Sequence, residues 1–561
     1  MRRRVVSPVL VGRAGEISRL RSAFAAVREG TPATVLVGGE AGVGKSRLIS
    51  EFSAEQPGAG TRVLVGGCLQ LGADGLPFAP FTAVLRDLVR ELGAEAVAGL
   101  LAGRAIRELA RLLPELGEPP SGGDQGEARA RLFEQVLLLL EHLAERAPVI
   151  LAIEDAHWAD RSSRDLLSFL VRNQRALEGV LVVVTYRSDE LHRTHPLRPL
   201  IAELDRIEWV ERMDLPRLTR REASEFAGRI LGSRLDAAAA DRLYRRTEGN
   251  PLFLETLLTS QSTDGGELPD TLRDLLLISV HRLPEESQEL LRVASAGGER
   301  VGHALLAAVS GLSPDELTRV LRPAVTANTL LTEADDYVFR HALIREAVHE
   351  DLLPGEHGRL HARFARAIDT DRSLVPPDRA QIEMAHHWYS AHDVTWALAS
   401  AWQAAADAGK ALAHAERLTL VERVLELWDQ VPDAAERIGA SRSAVLEQAV
   451  EAAYDAGEVE RGIALATAAL KELDPAAEPV RVALLLSQRA EFHYQLGRDN
   501  SADLWRALDL VPADEAPAAR TKILECIACH GGRHRPEDGL MAQEALTLAR
   551  RAGDSASEAS A

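Results

Sequence analysis

The chain has 561 residues, 65 basic and 84 acidic side chains and a formal charge of −19, with 46% hydrophobic residues. Length alone excludes a single small domain and predicts about three to five units of roughly 100–200 residues, while the acidic surplus argues against broad affinity for nucleic-acid phosphates, which clustered Lys and Arg must neutralise. Cys68, Cys526 and Cys529 are too few for a disulfide framework, no apolar run approaches the ~20 residues that span a bilayer, and no apolar segment follows Met1-Arg2-Arg3-Arg4, so a cytoplasmic chain without membrane contact is expected.

Residues 34–215 alternate short β-branched runs with longer amphipathic stretches, the pattern of a parallel sheet covered by helices. The predicted strands are Thr34–Gly38, Arg62–Cys68, Val149–Ile153, Val180–Tyr186 and Ile207–Met213. Continuous hydrophobicity in the third and fourth predicts burial on both faces. Between the first strand and a helix starting at Lys45, Gly39-Glu40-Ala41-Gly42-Val43-Gly44-Lys45-Ser46 fits G-x-x-x-x-G-K-[ST]. Glycines at those positions let backbone N–H groups and the helix N-terminus converge on phosphates. Lys45 is expected to bridge the β- and γ-phosphates of ATP or ADP, and the Ser46 hydroxyl to hold Mg²⁺. The nucleotide-contacting set is Gly39, Glu40, Ala41, Gly42, Val43, Gly44, Lys45, Ser46 and Arg47. By composition, on the order of 0.002 chance matches to this pattern are expected in the chain. Only four residues are Lys against 61 Arg, and Lys45 is the first of the four. Such a chain writes Arg where any cation will do, so Lys45 reads as a position that requires a compact ammonium.

Further along, Pro114–Gly126 reads as a surface loop. Glu154 and Asp155 follow the third strand, where a P-loop protein needs carboxylates at the end of a neighbouring strand. Glu154 is assigned to Mg²⁺ and Asp155 to polarising the attacking water, though the order of the two is open from sequence. Arg187 ends the next strand at the carboxyl edge of the sheet, where it could contact the γ-phosphate. Asp155, Glu154, Lys45 and Arg187 are the expected catalytic set.

Helices are predicted at Leu218–Leu231 and Asp236–Thr247, a linker at Ser260–Pro269, and a compact helical unit over 270–355. A terminal hairpin, Thr329–Thr332 with Tyr337–Arg340, turning at Asp335-Asp336, makes that unit compatible with a winged helix. From about residue 380 the sequence is Ala-, Leu- and Glu-rich. Tyr454-Asp-Ala-Gly457 and Tyr494-Gln-Leu-Gly497 stand 40 residues apart, as in stacked helical hairpins. Cys526-Ile-Ala-Cys529-His530 matches a haem-attachment pattern but reads as helix packing in a chain with no export signal. His386-His387-Trp388 and His392 likewise read as packing, because adjacent helical residues point about 100° apart.

Together Val9-Leu-Val-Gly-Arg13, Ile153-Glu-Asp-Ala-His-Trp-Ala-Asp160, Thr185-Tyr-Arg187 and Glu248-Gly-Asn-Pro-Leu-Phe253 resemble the signal-transduction ATPases with numerous domains, the STAND class. The resemblance is closest to the large ATP-binding regulators of the LuxR type and the ATPase modules attached to bacterial adenylate cyclases. It implies that Val11, Gly12 and Arg13 line an adenine pocket, that the turn containing Pro251 packs near the base, and that His341 touches the ADP β-phosphate in a closed form. The implied fold is an α/β P-loop core with a parallel sheet over 1–215, an all-α lid over 216–262, a winged-helix-like domain over 263–370 and a TPR-like helical-repeat solenoid over 371–561. The implied function is a switch, part of a transcriptional regulator, in which ADP/ATP exchange and slow hydrolysis govern opening. A small-molecule or protein inducer would bind the repeats, and the ATP form would self-associate. The chain ends at Ala561 without the C-terminal helix-turn-helix of LuxR-type members, so either it is truncated or its output is protein–protein contact rather than DNA binding. Two alternatives are a constitutive ATPase with a motor or chaperone-like task, and a nucleotide-stabilised scaffold regulating a partner enzyme.

Overall fold

The structure is a computed structural model, described over residues 10–55, 60–68, 76–101, 105–120, 125–261, 276–277, 280–512, 516–530, 543–548 and 550. Its contacts divide the chain into a first unit, residues 1–393 with 410–412, and a second unit, residues 394–409 with 413–561.

The first unit opens with α1 (Ala14–Arg28), β1 (Ala33–Gly39), α2 (Lys45–Ala54), β2 (Arg62–Gly67) and α3 (Ala79–Leu92). Two short helices, Ala94–Ala98 and Ala105–Leu109, lead to α4 (Gln125–Arg146), β3 (Val149–Glu154), α5 (Arg161–Arg172), β4 (Val180–Arg187), α6 (Leu197–Leu204) and β5 (Val210–Asp214). The five strands form one parallel sheet in the order β2-β3-β4-β1-β5. Every residue of β3 and β4 is buried, as their unbroken apolar sequence requires. Val35, Val37, Ile150, Ala152, Leu181 and Val183 close one core with α1 and α2. Each fully buried Val, Leu or Ile there contributes roughly 1.5–3 kcal/mol of transfer free energy.

Two expectations about this sheet are corrected. Ile207–Trp209 is a turn, so the fifth strand starts three residues later than predicted. That strand is an edge with Glu211 and Arg212 exposed, and it lacks the apolar run that marks a central strand. The strand bearing Glu154 is also not a direct neighbour of β1, because β4 lies between them.

Helices α7 (Arg220–Leu231), α8 (Ala237–Thr247) and α9 (Pro251–Gln261) follow. Thr219 and Glu222 form a capping box and Asp236 caps α8, which fixes both starts. The predicted linker Ser260–Pro269 begins inside α9, and its residues 262–269 lie outside the described residues. Next come α10 (Glu285–Ala296), β6 (Arg300–Gly302), α11 (His303–Ser310), α12 (Pro314–Thr326), β7 (Leu330–Glu333) and β8 (Asp336–Phe339). The sheet order β6-β8-β7 with three helices is a winged-helix-like arrangement. Its hairpin turns at Ala334-Asp335, one residue earlier than predicted, with Ala334 at φ 52°. Helices α13 (Ala342–Glu350), α14 (Pro354–Thr370) and α15 (Pro377–Ser390) complete the unit.

The second unit is helical: Val394–Lys410, His414–Leu427, Arg442–Asp455, Val459–Glu472, Pro479–Gln495, Ser501–Leu510 and Pro517–His530 are its longer helices. The repeated Tyr-x-x-Gly is a helix terminator. Gly457 (φ 70°) and Gly497 (φ 66°) take the left-handed conformation, and the next N–H in each case returns to a carbonyl five residues back, Glu458 to Ala453 and Arg498 to His493. Among the described residues no helix is long and apolar enough to cross a membrane.

Candidate functional site

The loop after β1 depends on glycine, since Gly42 and Gly44 have φ of 77° and 101°. It delivers the chain into the ten-residue helix α2, whose first N–H groups have no intrahelical partner. Lys45 is 7% exposed, and its Nζ donates to the carbonyls of Gly39 (2.8 Å) and Glu40 (2.9 Å). Burial, with the Arg187 charge nearby, lowers its pKa to about 8 against the pull of Asp155. The Ala41 N–H donates to an Asp189 carboxylate oxygen at 3.4 Å, so an anionic acceptor already faces the loop. A buried ammonium, a glycine-dependent loop and a helix N-terminus fit a polyphosphate.

Gly39 is in register with Arg187, which places the end of β4 directly beside the start of the loop. One strand further, Glu154 ends β3 and Asp155 turns into the left-handed region at φ 54°, its N–H donating to Thr185 Oγ1 at 3.0 Å. Ser46, Glu154 and Asp155 line a common groove of about 940 Å³. A hydroxyl and two carboxylates are the hard oxygen donors that Mg²⁺ takes, so these residues fit that ion.

Arg187 is 6% exposed. Its guanidinium pairs with Glu190, contacts Glu346 of α13 at 3.2 Å, and lies 4.9 Å above the Trp158 ring. Burial would lower its pKa, but Glu346 and Glu190 outweigh that and raise it. His157 packs on Trp158 with ring centroids 4.6 Å apart, and its Nδ1 accepts the Arg187 N–H at 3.4 Å. Burial, Arg187 and Lys45 push the His157 pKa far down, which keeps the imidazole neutral beside the two cations.

On the other side of the loop, Val11, Arg13, Gly42, Val43, Gly44, Arg47, Pro251 and His341 line a single cleft of about 60 Å³. Small-molecule sites hold roughly 300–1,000 Å³, so side chains there must part to admit a base. Arg13 is 4% exposed and donates to the carbonyls of Val43 (3.2 Å) and Pro216 (2.6 Å). Gly12 lies against α7, where an added Cβ would fall 2.6 Å from the Glu222 carboxyl carbon. Asn250 ties the start of α9 to the loop: its Nδ2 donates to the Ala41 carbonyl at 2.9 Å, and the Leu252 N–H reaches the Gly42 carbonyl at 3.3 Å.

The fold thus brings residues from 11 to 341 to one loop. Val9 lies outside the described residues. Arg13 holds the loop to Pro216 through backbone carbonyls, a contact that the motif alone does not disclose. Sequence reasoning also left His157, Trp158 and Asp160 without a role. The first two form the seat of Arg187, and Asp160 caps α5 by accepting the Ser163 N–H at 2.7 Å. Their signal was their adjacency to Glu154-Asp155 in one motif. Glu346 gave no signal, since an acidic residue on a helix is ordinary.

The chain is 27% identical over 504 residues to the uncharacterised protein R02095 of Rhizobium meliloti (strain 1021), an alignment covering 80% of this chain and 42% of that protein. The chain therefore spans about two-fifths of the length of that curated relative. Among solved structures, similarity extends to a signal-transduction ATPase with numerous domains bearing a tetratricopeptide repeat sensor from Pyrococcus horikoshii, at 17% identity and a TM-score of 0.49, covering 98% of this chain and 72% of that one. A Walker-type ATPase of Pyrococcus abyssi matches at 15% identity and a TM-score of 0.32, over 60% of this chain and 96% of that one. Residues 9–184, which hold the glycine-rich loop, Glu154 and Asp155, match the family model of the AAA ATPase domain.

Proposed function

We propose that this chain is an ATP-binding signal-transduction switch of the STAND kind and part of a transcriptional regulator. Its parts are a P-loop core over 1–215, a lid over 216–262, a winged-helix-like domain over 263–370 and helical repeats over 371–561. Gly39–Arg47 hold the phosphates of ATP or ADP, with Val11, Gly12, Arg13 and Pro251 around the base. Ser46, Glu154 and Asp155 hold Mg²⁺, which supplies neutralisation of developing phosphate charge. Asp155 orients water for slow hydrolysis, and His341 faces the nucleotide from the winged-helix side.

The observation that carries this reading is the position of Arg187. It lies beside the P-loop, yet its charge is spent on Glu190 and on Glu346 of α13. A γ-phosphate arriving at Lys45 competes with Glu346 for the same guanidinium. ATP and ADP then differ in their contacts with the closed form, which is the condition for a ligand to shift a conformational equilibrium. An inducer bound by the repeats, and self-association of the ATP form, complete the proposal.

The test is to purify the native chain and Lys45→Ala, denature both, and identify released nucleotide by mass spectrometry. Near-stoichiometric ADP in the native chain and none in the variant is the expected outcome. A native chain that carries no nucleotide and binds none when ADP is added would refute the proposal.

A further inference from the structure

Five histidines that the nucleotide site does not use meet on three helices of the first unit. His349 lies in the last turn of α13, His357 and His361 in α14, and His386 and His387 in α15. His357 and His361 are four residues apart, so their rings share one helical face, with centroids 4.4 Å apart. His349 reaches that face from α13, its ring 5.0 Å from His357 and 5.7 Å from His361. One ligand nitrogen of each of these three lies within 4.8 Å of the other two.

Packing of neutral imidazoles is the ordinary explanation for such a group, but it leaves two atoms unexplained. His349 Nδ1 and His361 Nε2 are buried without a hydrogen-bond partner. The other nitrogen of His361, Nδ1, lies 2.8 Å from His387 Nδ1, and His387 is held flat against Phe364 with the rings 18° from parallel. If His361 Nδ1 donates to His387, Nε2 carries a bare lone pair directed away from that partner. Metal-bound imidazoles are held in this way, one nitrogen on the ion and the other on a fixed neighbour.

We propose that His349, His357 and His361 bind a divalent transition-metal ion of the Zn²⁺ type, with His387 orienting His361 from behind. Three imidazoles without thiolate suit Zn²⁺, and three protein ligands leave a fourth position for water. Zn–N bonds of about 2.0–2.1 Å bring the three nitrogens to about 3.3 Å from one another, a closure that side-chain rotation supplies. His361 also groups with His386 and His387 within 4.8 Å. His361 belongs to both groups, and the unpartnered Nδ1 of His349 favours the first. His349 lies one turn beyond Glu346, so an ion here clamps the helix that faces Arg187 onto α14.

The test uses the untagged chain, stripped with chelator, loaded with Zn²⁺ and desalted before metal analysis. One ion per chain is expected, together with a higher melting temperature. His357→Asn, at a half-buried position, and His349→Gln should each weaken Zn²⁺ binding at least tenfold in a chain that elutes and melts as a folded protein. Replacing Zn²⁺ by Co²⁺ should give the visible absorption of a four-coordinate ion in the native chain and lose it in both variants. A native chain that retains no zinc refutes the proposal. So does retention unchanged in both variants, which puts the ion elsewhere, or loss only in His386→Ala, which shifts the site to the second group.

Discussion

At the scale of single residues, the proposal assigns to Lys45 the holding of an anion in the loop. Its ammonium makes two hydrogen bonds inside the P-loop, and a polyphosphate adds charge-assisted ones. Such bonds contribute about 1.5–3 kcal/mol each, so Lys45→Ala should weaken ADP by roughly 100-fold, read by titration calorimetry. Affinity within a few-fold of native in the variant would remove Lys45 from the site. The lowered pKa of Lys45 adds a pH dependence with a fixed sign. In the free chain the ammonium loses its proton near pH 8. Bound phosphate favours the charged form and raises that pKa, so above pH 8 binding must take up a proton. ADP affinity should therefore hold below pH 8 and fall above it, by at most about tenfold per unit. Calorimetry at pH 9 in buffers of different ionisation heat should show proton uptake, and a flat affinity from pH 7 to 10 would contradict the assignment.

At the scale of elements, one helix crossing in the second unit depends on a glycine. Gly462, in helix Val459–Glu472, faces the fully buried Phe492 of helix Pro479–Gln495, where an added Cβ would lie 2.2 Å from the ring. Alanine improves helix propensity by about 1 kcal/mol, but overpacking a filled core typically costs about 1–3 kcal/mol, and Phe492 is fully buried with its ring edge-on to Tyr454. Gly462→Ala should thus lower the melting temperature of this region in calorimetry, and a raised one would show that the contact is loose. Elements were legible where chemistry is local. The continuous apolar runs of β3 and β4 and the two Tyr-x-x-Gly sequences act within a few residues of themselves; the Thr219–Glu222 capping box is as local, yet the predicted helix starts at Leu218, two residues ahead of α7. The edge strand β5, the three-residue β6 and the placement of β4 between β1 and β3 depend on pairing across the sheet. Nothing in their own sequences marks that pairing. The same holds for the sites: the P-loop is a contiguous motif, whereas Glu346 and the joining of His349, His357 and His361 become meaningful only when separate helices meet. His357 and His361 did carry a local signal, the spacing of four on one helical face.

At the scale of the molecule, the first unit connects the P-loop to distant parts through three residues. Arg13 fastens the loop to Pro216 through backbone carbonyls, and Asn250 fastens it to the start of α9. Arg187 fastens the sheet edge to α13 through a charge pair. The first two are hydrogen bonds to backbone on the side of the loop away from Arg187, which ATP and ADP meet alike. The third involves a cation that a γ-phosphate can claim, which makes it the contact that distinguishes ATP from ADP in the proposed switch. The most direct measurement is therefore the release of a fluorescent ADP analogue from the native chain and from Glu346→Gln. If Glu346 holds the closed form, removing its charge should free α13 and speed release about tenfold, equivalent to about 1.4 kcal/mol. Equal release rates from the two proteins, with both folded and both binding ADP, would contradict the account.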